Sequence, residues 1–208
     1  YASRGLGDVY KRQLFDEYFS GSLSLNREPS AYLPQYADDN FGTVGTSGGC
    51  DGYDPTKANL TFAGNVGQAQ SVATIVRAAS LCNNDRIVFH VVGSGSRLED
   101  CKRLAESLKA KNVVFHGRKP IEEMPRYYAA SSAMLVTFED SPMATYTLPR
   151  KVTTYLAAGK PVLAALSGET KRVIDEAHCG LCCAIEDAEG LARICNCLLY
   201  TSDAADEL

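Results

Sequence analysis

The chain of 208 residues carries 25 acidic against 21 basic side chains, a net charge of −4, which leaves no polybasic face for a nucleic acid. No apolar run reaches the roughly 20 residues of a membrane span. That length holds one or two domains with a real hydrophobic core.

The two ends stand apart from the rest. Residues 3–13 and 197–207 can be encoded by strings whose inner parts are reverse complements of one another, and both resemble transposase-type sequencing adapters. Residues 1–13 and 197–208 are therefore expected to be adapter-derived and to pack on nothing. The remainder is expected to be a piece of a longer protein, cut at both sides.

Residues 14–57 show no sustained period, and Gly42 to Asp54 has the Gly/Ser content of a flexible linker. Order begins near residue 58. Leu60–Ala63 predicts a strand, Gly64-Asn-Val-Gly67 a turn, and 69–81 an amphipathic helix. Arg86–Val92 is a continuous apolar strand closed by Gly93-Ser-Gly-Ser96. The 98–109 stretch is a helix with Leu98, Cys101, Leu104 and Leu108 on one face. Asn112–His116 predicts a third strand, followed by Gly117-Arg118 and a helix over 121–130. Ala133–Thr137 is a fourth strand, and 138–148 reads as a long polar loop.

Pro149 then opens a short helix, being preset for a first turn where no N–H partner is needed. Val152, Tyr155 and Leu156 form its apolar face. Gly159 ends it as a left-handed C′ residue, and Pro161–Ala164 predicts a buried strand. A helix over 169–177, a short strand over 180–184 and a helix from 187 complete the chain. Strands alternating with helices, and near-continuously apolar, predict an α/β fold: a Rossmann-like, doubly wound parallel sheet. Residues 58–196 are the expected extent of that domain.

In such a sheet ligands bind beyond the carboxyl ends of the strands. The candidate binding residues fall in loops at that edge: Gly64, Asn65, Gly67 and Gln70; Gly93, Gly95 and Ser96; Gly117 and Arg118; Thr147 and Pro149. Arg150 and Lys151 stand in the first turn of a helix, where they oppose the dipole unless an anion sits between them. That points to a phosphate, with an ordinary helix start and two solvated charges as the plainer reading. Arg118 offers a planar guanidinium that can stack on a base, or a solvated turn residue. Glu169 follows Gly168 in a first helical turn, where an acid is favourable with or without a ligand. His90 and His116 lie in strands as core or rim residues, and His178 at the surface.

Cys179-Gly-Leu-Cys182 is a formal C-x-x-C, but no second pair stands at zinc-ribbon spacing. The cysteines are expected as free thiols in a reducing, cytoplasmic compartment, with no metal and no cofactor.

Leu148-Pro-Arg-Lys151, Tyr155-Leu-Ala-Ala-Gly-Lys-Pro-Val162 and Gly168-Glu169 resemble the donor half of GT-B glycosyltransferases of the GT4 type (group 1). The likeness is greatest to the branch that builds O-antigen and capsule polysaccharides, with its P-S-K, A-A-G-K-P-V and G-E pattern. Ala31–Phe41 is similar to the segment that crosses from acceptor to donor domain in that branch. The resemblance covers about Tyr32 to Ile194. It implies a retaining transferase that takes a hexosyl or hexosaminyl group from a nucleotide-diphospho-sugar, with UDP as carrier. The acceptor would be a glycan or lipid-linked sugar, bound through an N-terminal domain that could touch the cytoplasmic face of a membrane. The fragment alone would be inactive.

The resemblance further implies that Lys151 neutralises charge on the leaving diphosphate, that the 117–118 turn holds the base, and that Glu169 could accept from a sugar or ribose hydroxyl. Two departures stand out. The glutamates of the family's E-x7-E pair fall at Tyr146 and Thr154, and Asn65 with Gln68 or Gln70 replaces an Arg and a Lys. A sugar-nucleotide-binding module of a non-transferase, such as an epimerase-like or regulatory protein, is the alternative.

Overall fold

The computed structural model describes residues 50–206, so the Ala31–Phe41 segment and the 1–13 stretch lie outside the described residues. The strands are β1 Ala58–Ala63, β2 Ile87–Val92, β3 Val113–Gly117, β4 Ala133–Thr137, β5 Val162–Ala165 and β6 Gly180–Cys183. The helices are α1 Val72–Leu81, α2 Leu98–Ser107, α3 Met124–Ala130, α4 Pro142–Tyr146, α5 Arg150–Ala157, α6 Gly168–Glu176 and α7 Ala188–Asp206. The strands form one sheet in the order β3-β2-β1-β4-β5-β6, with every pairing parallel. The order reverses between β1 and β4, which makes their junction the topological switch point of the sheet.

Alternation along each strand feeds two cores. Leu60, Phe62, Phe89, Leu135 and Leu163 face Val72, Ile75 and Val76 of α1 and Leu191 and Cys195 of α7. Met134, Val136, Val162 and Ala164 face Tyr127 of α3, Val152 and Tyr155 of α5 and Ile174 of α6. Helices thus cover both faces, which is why β1, β4 and β5 are buried at every position. β3 is an edge strand, and each of its residues stays half-buried.

Several boundaries differ from the periodicity. The first helix does not run unbroken from residue 69. A 3-10 turn over Gln68–Gln70 ends at Ser71, held at φ 41°, and α1 starts after it. A similar 3-10 turn, Ile121–Glu123, precedes α3. The stretch read as a polar loop contains α4. Leu108 is 41% exposed, because α2 ends at Ser107 and its apolar face ends with it. α7 passes through residue 197 without a break, and Leu199 is buried against the core. The expectation that the C-terminal stretch packs on nothing therefore fails as far as Leu199.

Residues 50–57 lie against the second face. Tyr53 stacks on His90 with ring centroids 3.8 Å apart, and its hydroxyl meets the Thr61 hydroxyl at 2.8 Å. Asn59 donates both amide hydrogens to the carbonyls of Asp54 and Lys57, so its Oδ1 accepts from His90 Nε2 at 3.0 Å. His90 Nδ1 is then the lone-pair nitrogen and accepts from His116 Nε2 at 2.9 Å. His90 is neutral in this arrangement, with its single proton on Nε2. Burial depresses the His90 pKa to about 3, and burial with the nearby Lys119 lowers that of His116.

Candidate functional site

The carboxyl ends of β1, β2 and β3 and the turn leading into α3 enclose a cleft of about 910 Å³. Of the residues expected to bind, Gly64, Asn65, Gly93 and Arg118 line it, joined by Ser94, Lys119, Glu122 and Tyr128. Its floor is a backbone ladder: the Gly64 N–H donates to the Val92 carbonyl at 2.9 Å and the Gly93 N–H to the Gly117 carbonyl at 2.8 Å. A Cβ built on Gly93 would lie 1.8 Å from the Gly64 carbonyl oxygen, and its φ of 148° is one that side chains rarely adopt. Packing of one loop on the other thus demands this glycine. Gly117 differs, with a φ of 68° and nothing within 4 Å of a Cβ built there.

The remaining glycine-loop residues form a layer behind the floor. The Asn65 amide donates to Gln70 Oε1 at 3.1 Å, and Gly67 lies close against that pair. Gly95 packs on the Val66 carbonyl, and Ser96 is exposed. None of Gly67, Gln70, Gly95 and Ser96 lines the cleft.

α5 supplies no lining residue, Arg150 and Lys151 included, and neither do Thr147 and Pro149 before it, but the start of α5 approaches the cleft at Gly64. Pro149, with φ −68° and ψ 142°, sets its start, and no side chain caps its first turn. No acidic residue stands in that turn either. The uncapped N–H groups and the helix dipole make this end attractive to an anion. Arg150 is exposed there. Lys151 instead turns inward. Its ammonium is 4.3 Å from the centroid of the Phe62 ring and would lie 3.6 Å from a Cβ on Gly64. The side chain keeps some exposure along its stem, but the Nζ atom itself is buried and has no hydrogen-bond partner. Desolvation pushes its pKa down to about 8. An ammonium without counter-charge or acceptor is costly to bury. The neighbouring Phe62 ring offsets only part of that cost.

The α6 side turns inward for its own reasons. Gly168 has φ 70°, and a Cβ on it would meet the Thr145 carbonyl oxygen at 2.2 Å. The Thr147 carbonyl accepts from the Thr170 hydroxyl at 2.7 Å. Glu169 is 1% exposed, and both its oxygens are held by Arg172 at 2.8 and 3.0 Å. These residues border α4 and α6 and do not line the cleft. Of the two places of the E-x7-E pair, Thr154 is buried and donates to the Arg150 carbonyl within its own helix. Tyr146 ends α4.

Sequence reasoning missed Phe62, Lys119, Glu122 and Tyr128. Phe62 reads as one more core residue of a buried strand. The other three belong to a turn and a short helix whose direction only the fold supplies. Among the described residues no helix is long and apolar enough to cross a membrane.

The sequence pattern of the family described as "Glycosyl transferases group 1" matches residues 57–201. The chain is 33% identical over 140 residues to the probable glycosyltransferase WbjE of Pseudomonas aeruginosa, a stretch that is 66% of this chain and 35% of that protein. Its backbone superposes on Anabaena Alr3699/HepE in complex with UDP and glucose, with a TM-score of 0.62 at 17% identity, over 71% of this chain and 40% of that one. The C-terminal domain of the Francisella tularensis group 1 glycosyl transferase LpcC gives a TM-score of 0.59 at 18% identity, over 72% of this chain and 78% of that one. The chain thus spans about a third of the length of WbjE.

Proposed function

The chain belongs to the group 1 glycosyltransferases, and from that premise we propose that it is the donor-binding half of such an enzyme, taking a nucleotide-diphospho-sugar into the cleft at the strand ends. The whole protein would transfer that sugar to a glycan or lipid-linked acceptor supplied from its other half, with retention at the anomeric carbon. The observation that carries the reading is the Lys151 ammonium, buried without a partner beside Gly64 at the uncapped start of α5. A diphosphate there would gain the cation, the helix dipole and loop N–H groups together. When the sugar–oxygen bond breaks, negative charge grows on the leaving phosphate, and a fixed ammonium stabilises it most at that moment.

Arg118 and Lys119, which line the cleft after β3, suit the base and ribose. The UDP bound by HepE supports a uridine carrier. Neither Glu169, already paired with Arg172, nor Thr154, turned into its own helix, is available to a donor hydroxyl without rearrangement. Glu122 is the carboxylate that lines the cleft.

Calorimetric titration of UDP and of uridine into wild type, Lys151→Met and the exposed-site control Lys111→Ala tests the reading. A charge-assisted contact of about 1.5–3 kcal/mol predicts a loss of roughly ten- to a hundredfold. That loss should appear for UDP only, and for Lys151→Met only. Equal UDP affinity in all three proteins, or a folded wild type that ignores UDP, would remove the proposal.

A further inference from the structure

β1 pairs with β2 as far as Ala63, but with β4 only at Leu60 and Thr61. The strands part at the switch point, and the Ala63 N–H and carbonyl, both turned toward β4, lose their strand partner there. One side chain fills the gap. The Tyr155 hydroxyl donates to the Ala63 carbonyl at 2.8 Å and accepts from the Ala63 N–H at 3.2 Å. Tyr155 is wholly buried, and the Tyr128 ring meets it edge-on with centroids 5.6 Å apart. A phenol that supplies one donor and one acceptor therefore completes the end of a strand from a neighbouring helix.

Lys151 stands four residues before Tyr155, one turn earlier on the same face of α5. Gly64, whose backbone the ammonium approaches, follows Ala63 directly. The distance from α5 to the end of β1 is fixed at Tyr155, so the reach of Lys151 is fixed as well. We propose that Tyr155 is the positioning residue for donor binding: its hydroxyl clamps α5 to Ala63 and so holds the Lys151 ammonium, dry, against Phe62 and Gly64. Removing the hydroxyl leaves two buried backbone groups without partners, and water is the nearest substitute. Water entering there reaches Lys151 and hydrates it. The link between this clamp and the donor rests on the function proposed above; the link between the clamp and Lys151 does not.

The test separates the two. Lysine labelled with 13C at Cε, with the Lys151 resonance identified by its loss in Lys151→Met, reports the Lys151 titration by NMR. In wild type the midpoint should lie near 8, and the Ala63 amide should exchange slowly with deuterium. Tyr155→Phe, which keeps the ring, should move the midpoint up by at least one pH unit, expose the Ala63 amide and weaken UDP binding about tenfold. Ile174→Val, a loss of packing elsewhere in the same core, should lower the melting temperature and change none of these. An unprotected Ala63 amide in wild type, or a Lys151 midpoint that is ordinary in wild type or unmoved by Tyr155→Phe, would overturn the clamp. A midpoint that responds in a protein that ignores UDP would uphold the clamp and sink the donor reading.

Discussion

Lys151 costs the fold stability. Its pKa of about 8 in the fold lies below the 10.5 of an ordinary lysine, so the unfolded chain binds more protons between those values. Stability rises with pH across that window, and below pH 8 the fold carries the whole penalty, on the order of 3 kcal/mol. Lys151→Met should therefore melt several degrees above wild type at pH 7, with the gap narrowing by pH 10. A variant that melts below wild type at neutral pH would show that the ammonium has a partner. The histidines act at the other end of the scale. His90 and His116 are both depressed in the fold, so the unfolded chain takes up protons first as pH falls below about 6.5. Their contribution is complete above that value and is lost as pH falls through their folded pKa values, about 3 for His90. His116→Gln, which cannot take up a proton, should flatten the acid limb of denaturant-midpoint measurements between pH 6 and 4.

Among the elements, the glycine turns divide into two kinds that one-letter codes do not distinguish. Gly93→Ala would put a methyl group into the Gly64 carbonyl and should cost several kcal/mol, enough to empty the folded state of a marginal domain. Gly117→Ala meets open space and only the strain of a left-handed backbone, about 1 kcal/mol. Urea unfolding of the two variants measures the difference. The strands and long helices were legible because burial on two faces leaves an unbroken apolar run, and burial on one face leaves a 3.6-residue period. α4 was not, since five residues are too few to show a period. Ser71 was not legible either, because nothing marks a non-glycine residue for a left-handed backbone.

For the molecule as a whole, the edge of the sheet that carries the cleft could be read in advance, because it follows from strand polarity. The division of labour along that edge could not. Glu169 and Lys151 both stand in first helical turns, yet one is satisfied by an arginine three residues on and the other is left bare. Only the packing of α5 on β1 and of α6 on α4 tells them apart. Packing of the C-terminal stretch was missed because its evidence was at the level of coding, while folding answers to the side chains present: Leu198 and Leu199 supply an apolar face whatever their origin. Ending the chain at Asn196 should lower the melting temperature by several degrees in calorimetry, about what the loss of a buried leucine of 2 kcal/mol or more implies. An unchanged transition would show that α7 is complete without them.

The packing of α7 on α1 also sets a clock. The Val72, Ile75 and Val76 face of α1 is covered by Leu191, Cys195 and Leu199, the first helix of the sheet by the last. During synthesis the early strands reach α1 first, but the part of it that α7 covers stays open while α7 is still untranslated. At about 5–20 residues per second the wait is roughly 6–25 s. For that interval the part of α1 that α7 will cover stays open to water, an apolar stripe of the kind that associates wrongly before its own partner emerges.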